Sequence, residues 1–240
     1  MTISGDQVMP IPKNSFVLID YIIRIKDTNE LIDTTLEEVA KKEGKHEPDK
    51  IYEPLLIIVG ENRIIQGLEE HVENVAEADN EYELEIPPEK AYGIRDPSKV
   101  KIMNINVMLK RNIVPEVGKT VEIDGQIGIV KAITGGRVMV DFNHPLASKT
   151  LLCKYKVVKI IQDEAEKVRW LLHRRYKRIP LDRFDIKIEP EKMTIYIELP
   201  REIYLDRELQ LVKALIAEEV YKYMSNYSTV VYIEKYTKAG

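Results

Sequence analysis

The residues most suited to chemistry are a tyrosine and a carboxylate that lie far apart in the chain. Tyr92 lies in the turn "IPPEKAYGIRD", Ile86–Asp96, between a proline-stiffened charged stretch and a glycine. A tyrosine there either caps the core or leans over a pocket, where its hydroxyl can donate to a ligand carbonyl. Asp33, in "LIDTT", follows two apolar residues at a strand end. Its carboxylate either accepts from a tyrosine across a sheet or caps the helix that "TLEEVAKK" would start, and spacing alone favours the cap. Other reactive groups are scarce. The four histidines, His46, His71, His144 and His173, lack metal-ligand spacing, so solvated or capping roles are expected and no metal. Cys153, the single cysteine, falls on an apolar strand face without an adjacent activating charge and reads as buried filler. "VGKT", Val117–Thr120, imitates the end of a phosphate loop, but Ile113 stands where that loop requires glycine. The basic run "HRRYKR", His173–Arg178, is accounted for by a solvated helix face.

Positioning these groups falls to two kinds of element. "SFVLIDYIIRIKD" alternates, with Val17, Ile19, Tyr21, Ile23 and Ile25 on one parity, which predicts a half-buried strand with Tyr21 facing the core. A short helix and a surface loop follow, then the apolar strand "LLIIVG". In "NRIIQGLEEHVENVAEA" the period changes, and Leu68, Val72, Val75 and Ala76 are spaced for one helical face. "EYELEIPPEK" alternates again until the prolines end it. Between about Arg95 and Asp141 the chain breaks into short β-like runs, with Asp124-Gly125 and Gly135-Gly136 supplying hairpin turns. "KTLLCKYKVVKI" then resumes a long strand that closes the first unit. Beyond it, Asp163 caps a helix expected to run to Pro180; two strands, a second helix with Leu209, Val212, Leu215, Ile216 and Val220 inward, and a last strand complete an α-β-β-α-β pattern.

The totals agree with such an organisation. A chain of 240 residues exceeds the usual size of one core, so two or three units are expected. The net charge of −4 and pI of about 5.8 speak against nucleic acid as partner. No apolar run approaches the length of a membrane span, and no basic-then-apolar leader opens the sequence, so a cytoplasmic protein without a membrane partner is expected. A single cysteine suits a reducing compartment.

In order, "DYIIR", "LIDTT", "NRIIQGLEE", "IPPEKAYG" and "FNHPLASKTL" resemble the FKBP-type peptidyl-prolyl cis-trans isomerases, in particular their SlyD-like archaeal long form. The resemblance spans roughly Phe16–Ile161, and the part beyond Asp163 resembles the long form's C-terminal domain. It implies an α+β fold: a twisted antiparallel sheet over a short helix, with a small β domain inserted in the flap and an extra C-terminal domain. The expected units are 1–94 with 142–161 for the isomerase, 95–141 for a chaperone-like insert that binds unfolded chain, and 162–240 for the C-terminal domain.

By position, the resemblance places Tyr21 and Asp33 at one wall of a proline pocket, Ile64 and Ile65 at another, and Leu68 at its floor. Tyr92 would stand at the rim and offer its hydroxyl to the substrate, Leu55 and Cys153 would complete the apolar lining, and the Ile65 N–H would hold a substrate carbonyl. Leu55, Leu68 and Cys153 stand where the family's best-known members carry aromatic residues. The histidine-rich tail of SlyD itself is missing, so no nickel is expected. Rotation about an amide needs no nucleophile, metal or cofactor, in keeping with the scarcity of reactive groups. The implied activity is isomerisation of X-Pro bonds joined to chaperone binding of unfolded or proline-containing polypeptides; the alternative is a weakly active or non-catalytic holding chaperone. A homodimer through the exposed face of the long C-terminal helix is a further expectation.

Overall fold

The computed structural model describes residues 10–75 and 79–237, except for the side chain of Val75, so of the helical face expected from Leu68, Val72, Val75 and Ala76 the last two side chains lie outside the described residues. Along the first part of the chain run β1 (Phe16–Ile25), β2 (Leu31–Thr34), α1 (Glu37–Lys42), β3 (Leu55–Ile58), α2 (Gln66–Val75) and β4 (Glu81–Ile86). The insert holds β5 (Val100–Asn104), α3 (Ile105–Lys110), β6 (Thr120–Ile123), β7 (Gln126–Thr134) and β8 (Arg137–Asp141). The chain then returns through β9 (Leu151–Ile161) and finishes with α4 (Glu164–His173), β10 (Asp185–Glu189), β11 (Thr194–Glu198), α5 (Leu209–Tyr223) and β12 (Thr229–Ile233).

The first sheet has five strands in the order β2-β1-β9-β4, with β3 on the same edge of β1 as β2. All its pairs are antiparallel: β3 takes the N-terminal half of β1, β2 the C-terminal half, and β9 pairs along the whole strand. On β1 the expected alternation holds, with Val17, Ile19, Tyr21 and Ile23 packing in one core with Leu68 and Val72 of α2. The opposite parity of β1 is not uniformly polar. Phe16 and Leu18, with Ile58 and Ile161, are buried in the core of the C-terminal region, so the start of β1 is covered on both faces. A bulge leaves Val158 without a partner between the pairs Leu18↔Lys159 and Ile19↔Val157, and it resets the parity of β9 so that Ile161 reaches that second core.

The insert folds as the expected meander, a sheet ordered β5-β8-β7-β6 around Met108, Val121, Ile123, Val130, Val138 and Val140. Its turns at Asp124-Gly125 and Gly135-Gly136 all take positive φ, as tight hairpins require.

In the C-terminal region β10 and β11 form an antiparallel hairpin, and α5 crosses over to place β12 parallel to β11. Asp163 caps α4 as expected, its Oδ1 accepting the Glu166 N–H at 2.7 Å. Three sequence expectations are corrected here. The helix ends at His173, well before Pro180, because the chain closes at Arg174 through bonds to Trp170 and Leu172 carbonyls. Leu215 is 37% exposed, since it continues the outward line of Leu211 while Leu209, Ile216 and Val220 take the inward one. The basic run is solvated only at Lys177 and Arg178, beyond the helix: His173 and Arg174 are held by carboxylates from remote parts of the chain, which local spacing does not reveal.

Candidate active site

The Tyr21 side chain projects from β1 and donates to Asp33 Oδ2 at 2.6 Å across the strand pair in which Ile23 faces Asp33. Thr34 and Thr35 fix the backbone beneath it: the Thr34 hydroxyl donates to the Tyr21 carbonyl at 2.8 Å, and the Tyr21 N–H donates to Thr35 Oγ1 at 2.9 Å. The other Asp33 oxygen accepts from the Thr34 N–H at 2.8 Å and from Lys50. Asp33 is therefore not the cap of α1, whose N-cap is Leu36, without a side-chain bond. Burial, then the adjacent Asp33, pushes the Tyr21 phenol well above its ordinary range, so it stays protonated and donates a charge-assisted bond.

Beside this pair opens a cavity of about 510 Å3 lined by Tyr21, Asp33, Leu55, Ile64, Ile65, Leu68 and Tyr92, with Ile23, Arg63, Gln66 and Ala91. Leu68, only 2% exposed, forms its base from the first turn of α2. The Ile65 carbonyl accepts from the N–H groups of Leu68 and Glu69 and so starts the helix, while the Ile65 N–H has no acceptor among the described residues. Gly67, next in line, admits β4 closely: a Cβ there would meet Ile86 Cγ2 at 2.6 Å. Cys153 is placed differently from the other expected lining residues. It is 0% exposed, paired across the sheet with Ile23 and Leu84, and lies in the core behind the cavity wall. Burial raises its thiol pKa to about 12, which keeps it inert.

Tyr92 stands at the rim. Its ring stacks on His144, with centroids 4.3 Å apart and planes 2° from parallel, and its hydroxyl has no protein partner among the described residues. Burial and, next, Asp33 raise its pKa, so it too is a donor. Behind it Gly93 takes φ +80°, and the chain's departure and return are joined where Ser148 N–H donates to the Gly93 carbonyl at 2.8 Å. His144 also caps its turn, Nδ1 accepting the Leu146 N–H at 3.2 Å, as expected for a capping histidine. His173 is buried against Glu53 and the Ile179 carbonyl, and His71, half-buried, bonds the Tyr155 hydroxyl at 2.8 Å. Among the residues that sequence reasoning did not place in the site, Ile23 shares the parity of Tyr21, and Arg63 and Gln66 flank the quoted isoleucines. Parity and adjacency were the available signals.

The arrangement combines an apolar base with a backbone N–H, that of Ile65, and a phenol, that of Tyr92, which have no acceptor among the described residues, and it holds no activated nucleophile. Among the described residues no group of three or more His, Cys, Asp or Glu is placed to hold a metal ion. No helix among them is long and apolar enough to cross a membrane.

Residues 9–109 match the family described as FKBP-type peptidyl-prolyl cis-trans isomerase. Residues 101–146 match the FKBP26 IF domain, and 164–237 match the FKBP26 C-terminal family. A short-type peptidyl-prolyl cis-trans isomerase of Methanocaldococcus jannaschii is 35% identical over 156 residues, covering 65% of this chain and 98% of the relative. The FKBP-type isomerase SlyD of Helicobacter pylori is 29% identical over 155 residues, 63% of this chain and 75% of the relative. An FKBP-type 16 kDa isomerase of Escherichia coli is 26% identical over 155 residues, 62% and 93% of the two chains. The chain belongs to the FKBP-type peptidyl-prolyl cis-trans isomerases. Its activity is rotation of X-Pro peptide bonds in polypeptide substrates.

Proposed function

We propose that the 510 Å3 cavity is where the X-Pro bond turns. The observation that carries this reading is the pairing of an apolar base with two donors that have no acceptor among the described residues, the Ile65 N–H and the Tyr92 hydroxyl, at the edge of a wall fixed by the Tyr21–Asp33 bond. Amide resonance opposes rotation with a barrier of ~18–20 kcal/mol. Turning the bond destroys that resonance and its charge separation, so surroundings of Leu55, Ile64 and Leu68 favour the twisted amide over the planar one. Donors that hold the flanking carbonyls keep the peptide fixed while the prolyl side rotates. Each 1.4 kcal/mol of such preference is about tenfold in rate. The mechanism uses no cofactor or metal.

Tyr92→Phe and Asp33→Ala should each slow isomerisation of a short X-Pro peptide while circular dichroism shows the fold retained. Rates equal to the parent in a protease-coupled assay would place the reaction elsewhere.

The insert we take as a binding surface for unfolded chain next to the cavity. On the outward face of its sheet Ile102 pairs with Met139, and Ile127 lies further along; Ile102 and Ile127 are 62% and 67% exposed. Val114 and Val117, in the loop before β6, are exposed as well, so the insert carries several uncovered apolar side chains. A client held on this face would meet the cavity at high local concentration. Deleting residues 95–141 should therefore cut refolding of a proline-limited protein far more than isomerisation of a short peptide. Equal loss on both substrates would sink the coupling. The working units are 1–94 with 142–161, 95–141, and 162–240.

A further inference from the structure

Two neighbouring side chains at the end of α4 reach the two segments that frame the cavity. The Arg174 guanidinium donates to both oxygens of Glu61, at 3.0 and 3.1 Å, and also to Glu219 of α5. His173 Nε2 lies 2.7 Å from Glu53 Oε2. Glu53 precedes the wall residue Leu55, and Glu61 opens the loop that ends in Ile64 and Ile65. From the opposite side, Glu69 of α2 holds the same loop through the N–H groups of Gly60 and Asn62, at 2.8 and 3.0 Å.

A second cavity, of about 260 Å3, lies between α4 and the sheet and shares Tyr21, Leu55, Arg63 and Ile64 with the first. These side chains therefore form a partition with open space on both sides. Close packing fixes a side chain only where atoms press from all sides, so the partition takes its position from its tethers. A two-pronged Arg–carboxylate bond, with Arg174 and Glu61 side chains each 12% exposed, fixes both distance and angle.

We propose that Arg174 is a positioning residue for the isomerase cavity, with His173 supporting it: the C-terminal domain holds the Glu61–Ile65 loop against Leu55 and so sets how tightly the prolyl ring is gripped. This rests on the reading of the cavity given above. The test uses the full chain with Arg174→Lys, which keeps the charge but not the fork, and Glu61→Gln, which keeps the shape but not the charge. Glu219→Gln is the control, since Glu219 binds Arg174 and Arg175 and does not touch the loop. KM and kcat for a short X-Pro peptide are measured well below each variant's Tm. Arg174→Lys and Glu61→Gln should raise KM roughly three- to tenfold with little change in kcat, the mark of lost binding common to ground and transition states. Glu219→Gln should lower Tm without raising KM. Unchanged KM in both loop-tether variants, or an equal rise with Glu219→Gln, overturns the proposal. Tyr92→Phe in the same series separates the two readings: if it is silent, the cavity assignment itself fails; if it slows the reaction while the tether variants do not, only the positioning role fails.

Discussion

The bond from the Tyr21 hydroxyl to Asp33 depends on strand register, because Asp33 faces Ile23 across the pair and so comes within reach of the tyrosine two residues back. Nothing in "LIDTT" itself distinguishes that partner from a helix cap, which is why local spacing pointed the wrong way. Tyr92 was legible as a turn residue, but the ring stacked behind it was not, since His144 arrives only after the whole insert. If the stack aims the hydroxyl, His144→Ala should lower kcat/KM on a short peptide by about two- to tenfold, the equivalent of an aromatic pair. His144→Phe should restore most of it; equal loss in both variants would assign the effect to the turn instead. Cys153 was legible as filler from its apolar strand face, and its thiol, raised to about 12, should resist iodoacetamide in the native protein at pH 8. Mass spectrometry should show full labelling only in denaturant, and labelling without it would mean that β9 opens.

Among the elements, strands were the most legible. Period-two alternation set the faces of β1, β4 and β9, and Asp-Gly and Gly-Gly marked the turns of the insert. The helix α3 was hidden among β-branched and apolar residues; it forms where Asn104 caps it, Oδ1 accepting the Asn106 N–H at 2.9 Å, and buries only Met108. Gly67 lies within the first turn of α2 and is needed for contact with Ile86, which is wholly buried and cannot retreat. Helix propensity alone would make Gly67→Ala stabilising by about 1 kcal/mol. The opposite is expected: overpacking against Ile86 should destabilise by roughly 1–3 kcal/mol in urea unfolding. A more stable variant would show that α2 and β4 can separate at no cost.

Among the described residues the protein has three hydrophobic cores, and one of them is shared: the core under Tyr21 draws only on the first unit and the insert's buried residues pack among themselves, whereas the third core joins the start of β1 to the C-terminal region. The end of β9 at Ile161 was readable as a change of pattern, whereas the sharing of Phe16, Leu18, Ile58 and Ile161 with the C-terminal helices was not, because it joins residues from opposite ends of the chain. Truncation to 1–161 should therefore expose these side chains and lower Tm by more than about 10 °C, several kcal/mol in a protein of this size. A truncated chain as stable as the parent would mean the shared core contributes little. For the homodimer expected through α5, the outward residues are Leu211, Leu215 and Tyr221; sedimentation of the parent against Leu211→Glu tests it, and a monomer mass for the parent at every concentration removes it. The pairing of β1 with β9 also has a bearing on synthesis. The two strands leave the ribosome well over a hundred residues apart, on the order of ten seconds at ordinary translation rates. During that interval β1 waits with its apolar side chains uncovered while the insert, with a core of its own, is free to fold first. A nascent chain of this isomerase thus passes through a state with uncovered apolar side chains before its own central strand pair can close.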